Sequence, residues 1–252
     1  MRFVPLACLL GVALAAPVGL FGQNPAQRDV VYGVCLERET KQFQTEGHGD
    51  KSETMAHLVC QIVTRACKDN PSRCQKTLRE LDAHLRESGT SMLFAASYSG
   101  STDIAKAMVA MGSDPNAAVT AESARGWTPL LIAAAEGHKN TVAALLDAGA
   151  DPNVRNELGR TALMLASSYG FTAIVKLLLA RGADPNLAPT DEHGWTALMV
   201  AARGGHVETV RALLKGAAVT LTDKSGNTAL ALAEAQGQSG VAGVLREHRG
   251  KP

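Results

Sequence analysis

Residues 126–153 read GWTPLLIAAAEGHKNTVAALLDAGADPN, and residues 159–186 read GRTALMLASSYGFTAIVKLLLARGADPN. A third copy, GWTALMVAARGGHVETVRALLKGAAV, starts at Gly194. In each, a threonine is followed nine residues later by a glycine. Working outward, the pairing recurs five times: Ser91/Gly100, Thr128/Gly137, Thr161/Gly170, Thr196/Gly205 and Thr228/Gly237, in steps of 37, 33, 35 and 32 residues. A period of this length marks a solenoid, in which each module is one supersecondary unit that cannot bury its apolar face alone.

Each residue type in the repeat has a physical task. Thr128, Thr161, Thr196 and Thr228 precede apolar runs, where a hydroxyl accepts from the free amides of a helix's first turn. Pro129 falls at the first helical position, where its missing amide costs nothing. Small residues follow (Ala133/Ala134, Ala166/Ser167, Ala201/Ala202), because stacked helices approach closely only over short side chains. Gly137, Gly170, Gly205 and Gly237 then end the first helix in a tight turn. The second helix carries the larger groups, Val142, Leu145 and Leu146 or Ile174, Val175, Leu177, Leu178 and Leu179, as one stripe. It is expected to end at Gly112, Gly149, Gly182 or Gly216. In three repeats an Asp-Pro-Asn turn follows, at 114–116, 151–153 and 184–186.

These strings resemble ankyrin repeats. The resemblance implies an all-α ankyrin-repeat solenoid of about five repeats, 89–124, 125–157, 158–192, 193–224 and 225–249, within a repeat domain 89–252. The first repeat departs from the pattern with Ser91 and a long insert from Ala117 to Arg125. The fifth carries Glu234 at a small core position and a shortened second helix, as a polar C-terminal cap would. Many ankyrin repeats also tie adjacent fingers through a histidine, where this chain has Leu131, Met164, Met199 and Ala231. Apolar packing is expected to take over there.

Composition agrees with such an array: 46% hydrophobic but 4% aromatic. A charged fraction of 19% and a formal net charge of +1 lend no support to a nucleic-acid partner. The seven histidines are scattered, His138 and His206 being explained by the repeat's own Gly-His turn. No Gly-x-Ser-x-Gly, His-Glu-x-x-His, phosphate loop or dinucleotide fingerprint occurs, so the sequence points away from an enzyme. No catalytic residue, cofactor, metal site or small-molecule substrate is expected.

Ahead of the array, MRFVPLACLLGVALAAPVGLFG at 1–22 reads as a secretory signal peptide, cut after Ala15 or after Gly22. The apolar run is short for a membrane span and holds Pro5 and Pro17, so no stable span is expected after leader removal. The mature chain is then secreted or periplasmic, and the family's habits favour a bacterial periplasm. Segment 23–88 is expected to form helices at 28–44, 53–69 and 73–87, those from Ser52 to Glu87 covering the first end of the stack. Its Cys35, Cys60, Cys67 and Cys74 suggest two disulfides in an oxidising compartment. Four cysteines permit three pairings; Cys67–Cys74 across the hairpin neck leaves Cys35 to meet Cys60.

As the resemblance implies, such arrays bind another protein along the concave surface of finger tips and first helices. The positions not needed for stacking include Trp127, Arg160 and Trp195 before the cap threonines. Tyr98, Glu136, Tyr169 and Arg203 stand before the turn glycines. Both tryptophans and two of the three tyrosines fall there. Aromatics and arginine dominate interface energetics. A tryptophan before the threonine also has a structural use, since its ring can pack on the neighbouring finger. The expected function is an exported binding module acting by rigid-surface docking; helper of an envelope enzyme, toxin inhibitor or immunity partner, and secreted effector are the open roles.

Overall fold

A computed structural model of the chain describes residues 71–87, 89–121 and 125–249. Among them the fold is all-helical, with one isolated bridge between Thr222 and Thr228 and no strand. A long helix, α1 (Pro71–Glu87), precedes five helix pairs. They are α2 (Met92–Tyr98) with α3 (Thr102–Ala110), α4 (Pro129–Ala135) with α5 (Lys139–Asp147), and α6 (Ala162–Ser168) with α7 (Thr172–Ala180). Then come α8 (Ala197–Arg203) with α9 (Val207–Leu213) and α10 (Ala229–Ala235) with α11 (Ser239–Arg249). Each first helix packs on the first helices of its neighbours and each second helix on the second, so the pairs stack in chain order.

Local chemistry starts each first helix. The hydroxyls of Ser91, Thr128, Thr161 and Thr228 accept from the amides of Phe94, Leu131, Met164 and Ala231 at 3.1, 3.4, 3.4 and 3.3 Å. Such a cap is worth about 1 kcal/mol. Thr196 departs from the expectation: it stands at the N-cap with extended backbone but makes no side-chain cap bond. Second helices α3, α5 and α7 close with a left-handed glycine, and the residue after it bonds back, as Ala150 does to the Leu145 carbonyl at 2.9 Å. The fourth ends differently. Gly216 comes one residue early, does not take the left-handed conformation, and α9 stops after seven residues against nine for its predecessors. The lost residue accounts for the 32-residue step.

The main core is one continuous cluster running from Leu78 to Leu245. First helices meet through Ala96, Ala133, Ala134, Ala166, Ala201 and Ala202, all fully buried. Second helices contribute Val142 and Leu145, then Ile174, Val175 and Leu178, then Val210 and Leu213. Leu146, Leu177 and Leu179 are only half-buried at its edge, so the buried stripe is narrower than expected.

Polar side chains tie one repeat to the next. Asn116 Nδ2 donates to the Gly149 carbonyl at 3.2 Å while its Oδ1 accepts from the Asp151 amide at 2.8 Å. Asn153 repeats this on Gly182 and Asp184, and Asn186 on Gly216 and Ala218. The fourth repeat has Thr220 in that place. An asparagine there would reach for a turn closing the fifth second helix, but α11 runs straight on to Arg249.

The ends are handled asymmetrically. At the first, α1 buries Leu78, Leu81 and Leu85, and Asp82 accepts from the Met92 amide at 2.8 Å while pairing with Arg86. It covers the helix expected at 73–87. At the last, Glu234 is exposed and pairs with Arg246, whereas its counterparts Ala134, Ser167 and Ala202 are buried under a following repeat. The expected shortening of the last helix is incorrect, because α11, with 11 residues, is the longest of the second helices. The helices expected at 28–44 and 53–69, with Cys35, Cys60 and Cys67, lie outside the described residues, as do the leader and the bonding of Cys74.

Candidate functional site

Three finger residues that the sequence reading passed over organise the concave side: Asn156, Asp191 and Asp223. Each stands five residues before a cap threonine, a spacing that could have flagged them. Each folds its own finger by accepting local amides. Asn156 Oδ1 takes those of Leu158 and Arg160 at 3.1 and 3.0 Å. Asp191 Oδ1 takes His193 and Gly194 at 3.2 and 3.0 Å, and Asp223 Oδ1 takes Ser225 and Asn227 at 2.9 and 2.8 Å.

The second carboxylate oxygen reaches back to the preceding repeat. Arg160 donates to Asp191 Oδ2 through Nε at 3.2 Å and Nη2 at 3.0 Å. Trp195 Nε1 donates to Asp223 Oδ2 at 3.0 Å. The residue before the cap threonine therefore clamps the next finger, and two of the expected contact residues have structural partners. These clamps tie the fingers through other positions than the family's histidine; in its place Leu131, Met164 and Met199 are buried, as expected of apolar replacements, and Ala231 is half-buried. Burial, the largest single influence on Asp191, raises its pKa; the Gly194 amide, Arg160 and the His193 amide outweigh it and hold the carboxyl below its ordinary 3.8. For Asp223 burial again acts upward first, and donation from Asn227, Trp195 and Ser225 brings the carboxyl below 3.8.

Around Trp195 the structure gathers a compact group. His193 stacks on the indole with ring centroids 4.2 Å apart and planes 12° from parallel. The guanidinium carbon of exposed Arg203 sits 4.9 Å from the indole centroid, within cation–π range. In the preceding repeat Tyr169 is 57% exposed and stacks on Phe171 at 5.7 Å. Tyr98 and Trp127 lie elsewhere, half-buried against a separate cluster of Phe94, Val119 and Ile132. The long insert supplies Val119, pinned by hydrogen bonds to the main chain of Gly126 and Trp127. Glu136 is exposed at the end of α4. The seven expected contact residues thus divide into a Tyr98/Trp127 group on the first two repeats and an Arg160/Tyr169/Trp195/Arg203 group on the third and fourth, with Glu136 apart.

Among the described residues, no group of three His, Cys, Asp or Glu side chains gathers as metal ligands, and no helix is long and apolar enough to cross a membrane. An open groove of about 640 Å³ lies between α3 and α5, lined by Asp103, Lys106, Asn140 and Asp147 among others, on the second helices rather than the finger columns.

The family model for ankyrin repeats matches three overlapping stretches, 42–156, 93–189 and 186–251. The NAD-capped RNA hydrolase NUDT12 of Homo sapiens and that of Macaca fascicularis are each 46% identical over 65 residues, 25% of this chain and 14% of the relative. The ankyrin repeat and KH domain-containing protein mask-1 of Caenorhabditis elegans is 38% identical over 171 residues, 68% of this chain and 5% of the relative. The chain therefore spans only a small part of these relatives. Ankyrin repeats indicate a module for protein–protein interaction. With helix pairs stacked by capped threonines, turn glycines and an asparagine ladder, and family matches running from residue 42 to 251, the chain belongs to the ankyrin-repeat family.

Proposed function

We propose that this chain is an exported, non-catalytic binding module that grips another protein in the envelope or outside the cell through the concave side of its ankyrin stack. The observation that carries the reading is the exposure of Tyr169 and Arg203 on that side. Tyr169 leaves a large ring in water, and Arg203 lies over Trp195. Burying an aromatic ring and a guanidinium that are already held by neighbours costs few rotors, which suits both to a binding hot spot. The clamps from Arg160 and Trp195 hold the fingers, so docking occurs on a preformed surface. Export rests on the leader at 1–22, and the four cysteines beyond it suit an oxidising compartment by forming two bridges.

Affinity capture from an envelope extract tests this, with the full chain as bait. A specific protein should be retained by the wild type and lost by the Tyr169→Ala, Arg203→Ala double variant at an unchanged unfolding midpoint. Equal capture by both would remove the proposed face.

A further inference from the structure

The junctions between successive repeats are not tied alike. At the first, His138 Nε2 meets the Tyr98 carbonyl at 2.8 Å, the hydroxyls of Thr102 and Thr141 bond at 2.9 Å, and the Thr120 amide donates to the Gly89 carbonyl at 2.9 Å. The third has the same three ties: His206 Nε2 on the Ser168 carbonyl at 3.0 Å, Thr172 on Thr209 at 2.8 Å, and the Thr190 amide on the Leu158 carbonyl at 3.1 Å. It adds the Arg160–Asp191 clamp. The fourth keeps Gln238 Nε2 on the Arg203 carbonyl at 3.5 Å, the Lys224 amide on the His193 carbonyl at 3.1 Å, and the Trp195–Asp223 clamp.

The second junction, between the repeats of Thr128 and Thr161, lacks all three. Phe171 stands in the histidine's place, its ring against Gly137 and without a polar atom to reach the Ala135 carbonyl. Lys139 and Ile174 occupy the threonine positions. Among the described residues, no main-chain hydrogen bond joins the fingers of the second and third repeats. The second helices α5 and α7 also pack more sparsely than α3 on α5 or α7 on α9. What remains is the Asn153 pair of bonds, the buried alanines of α4 and α6, and two ion pairs, Arg181–Asp147 at 2.7 Å and Arg125–Glu157 at 3.7 Å. Both ion pairs are exposed, where solvent leaves them little net worth.

A solenoid is held by its nearest-neighbour interfaces, so it parts where one of them is weakest. We infer that this stack opens between its second and third repeats, with α1–α5 and α6–α11 behaving as two cooperative units. Arg160, Tyr169, Trp195 and Arg203 all lie on the second unit, so opening at this junction leaves that group assembled. The inference is independent of what the concave face binds.

Native-state hydrogen exchange of the full chain in increasing, sub-denaturing urea tests it. Amides of α2–α5 should merge into one opening isotherm and those of α6–α9 into another, their opening constants differing at least about tenfold, as the loss of one or two net hydrogen bonds would give. Phe171→His, which offers the Ala135 carbonyl the donor that His138 and His206 offer at the neighbouring junctions, should narrow that gap. One isotherm shared by all of α2–α9, or a boundary at the first or third junction, would overturn the inference. A gap unchanged or widened in Phe171→His would overturn the missing ties as its cause.

Discussion

The imidazole of His206 stands where a β-carbon on Gly170 would have to go, with Nδ1 only 2.6 Å from that point. The same ring reaches the Ser168 carbonyl at 3.0 Å through Nε2. Gly170 is therefore required twice, by its backbone angle of φ +71° and by the repeat stacked on it. Gly182 is at φ +86°, but nothing lies within 4 Å of its missing β-carbon. Alanine at Gly182 should cost about 1–2 kcal/mol in backbone strain. Alanine at Gly170 should cost that plus about 1–3 kcal/mol of overpacking. Urea denaturation of the two variants measures the difference, and equal losses would contradict the inter-repeat contact.

Ser167 provides a gain-of-stability test. Its hydroxyl is fully buried and lacks a hydrogen-bond partner, at a position where the neighbouring repeats have Ala134 and Ala202. Ser167→Ala should raise stability by about 1 kcal/mol, since it removes an unsatisfied buried group without changing the packing around it. A lower unfolding midpoint would mean that the hydroxyl has a partner after all.

The finger clamps should fail in acid. Asp191 and Asp223 titrate below 3.8 in the folded chain, so their contribution is present above that ordinary value and is lost as pH falls through the depressed folded value. In a Trp127→Phe background, emission from the remaining Trp195 should change below about pH 4 and recover on neutralisation. Asp223→Asn should abolish the titration. An identical acid transition in that variant would place its origin elsewhere.

Export and oxidation make a further pair of expectations. Material from the envelope or medium should begin at Ala16 or Gln23, matching cleavage after Ala15 or Gly22. Alkylation under denaturing conditions should label its four cysteines only after reduction. Full-length cytosolic protein with free thiols would contradict both.

Period, caps and turns were legible because each is written in a stretch of nine to about thirty residues whose chemistry is local. Ser91, Thr128, Thr161 and Thr228 cap as their positions demand, and the small residues of the first helices are buried. Contacts between fingers were not legible. Arg160 meets Asp191 and Trp195 meets Asp223 across 31 and 28 residues, where insertions of different length break the strict period. Trp195 therefore read as a partner contact with packing on the neighbouring finger as its alternative, and the structure bonds its indole N–H to Asp223 of that finger and stacks its face on His193. The longer α11 was misread because the fifth repeat's polar residues suggested a shortened helix, whereas Glu234 pairs at the surface with Arg246 and the helix keeps its turns through Arg249.

The claim that matters most is that the finger columns and first helices, rather than the outer helices, meet the partner. Hydrogen–deuterium exchange of the full chain, alone and with its captured partner, tests this directly. Binding should slow exchange at 168–170 and 193–204 and leave the outer helices α5, α7 and α9 unchanged. Protection confined to those outer helices, with the Tyr169 and Arg203 segments unaffected, would contradict the account.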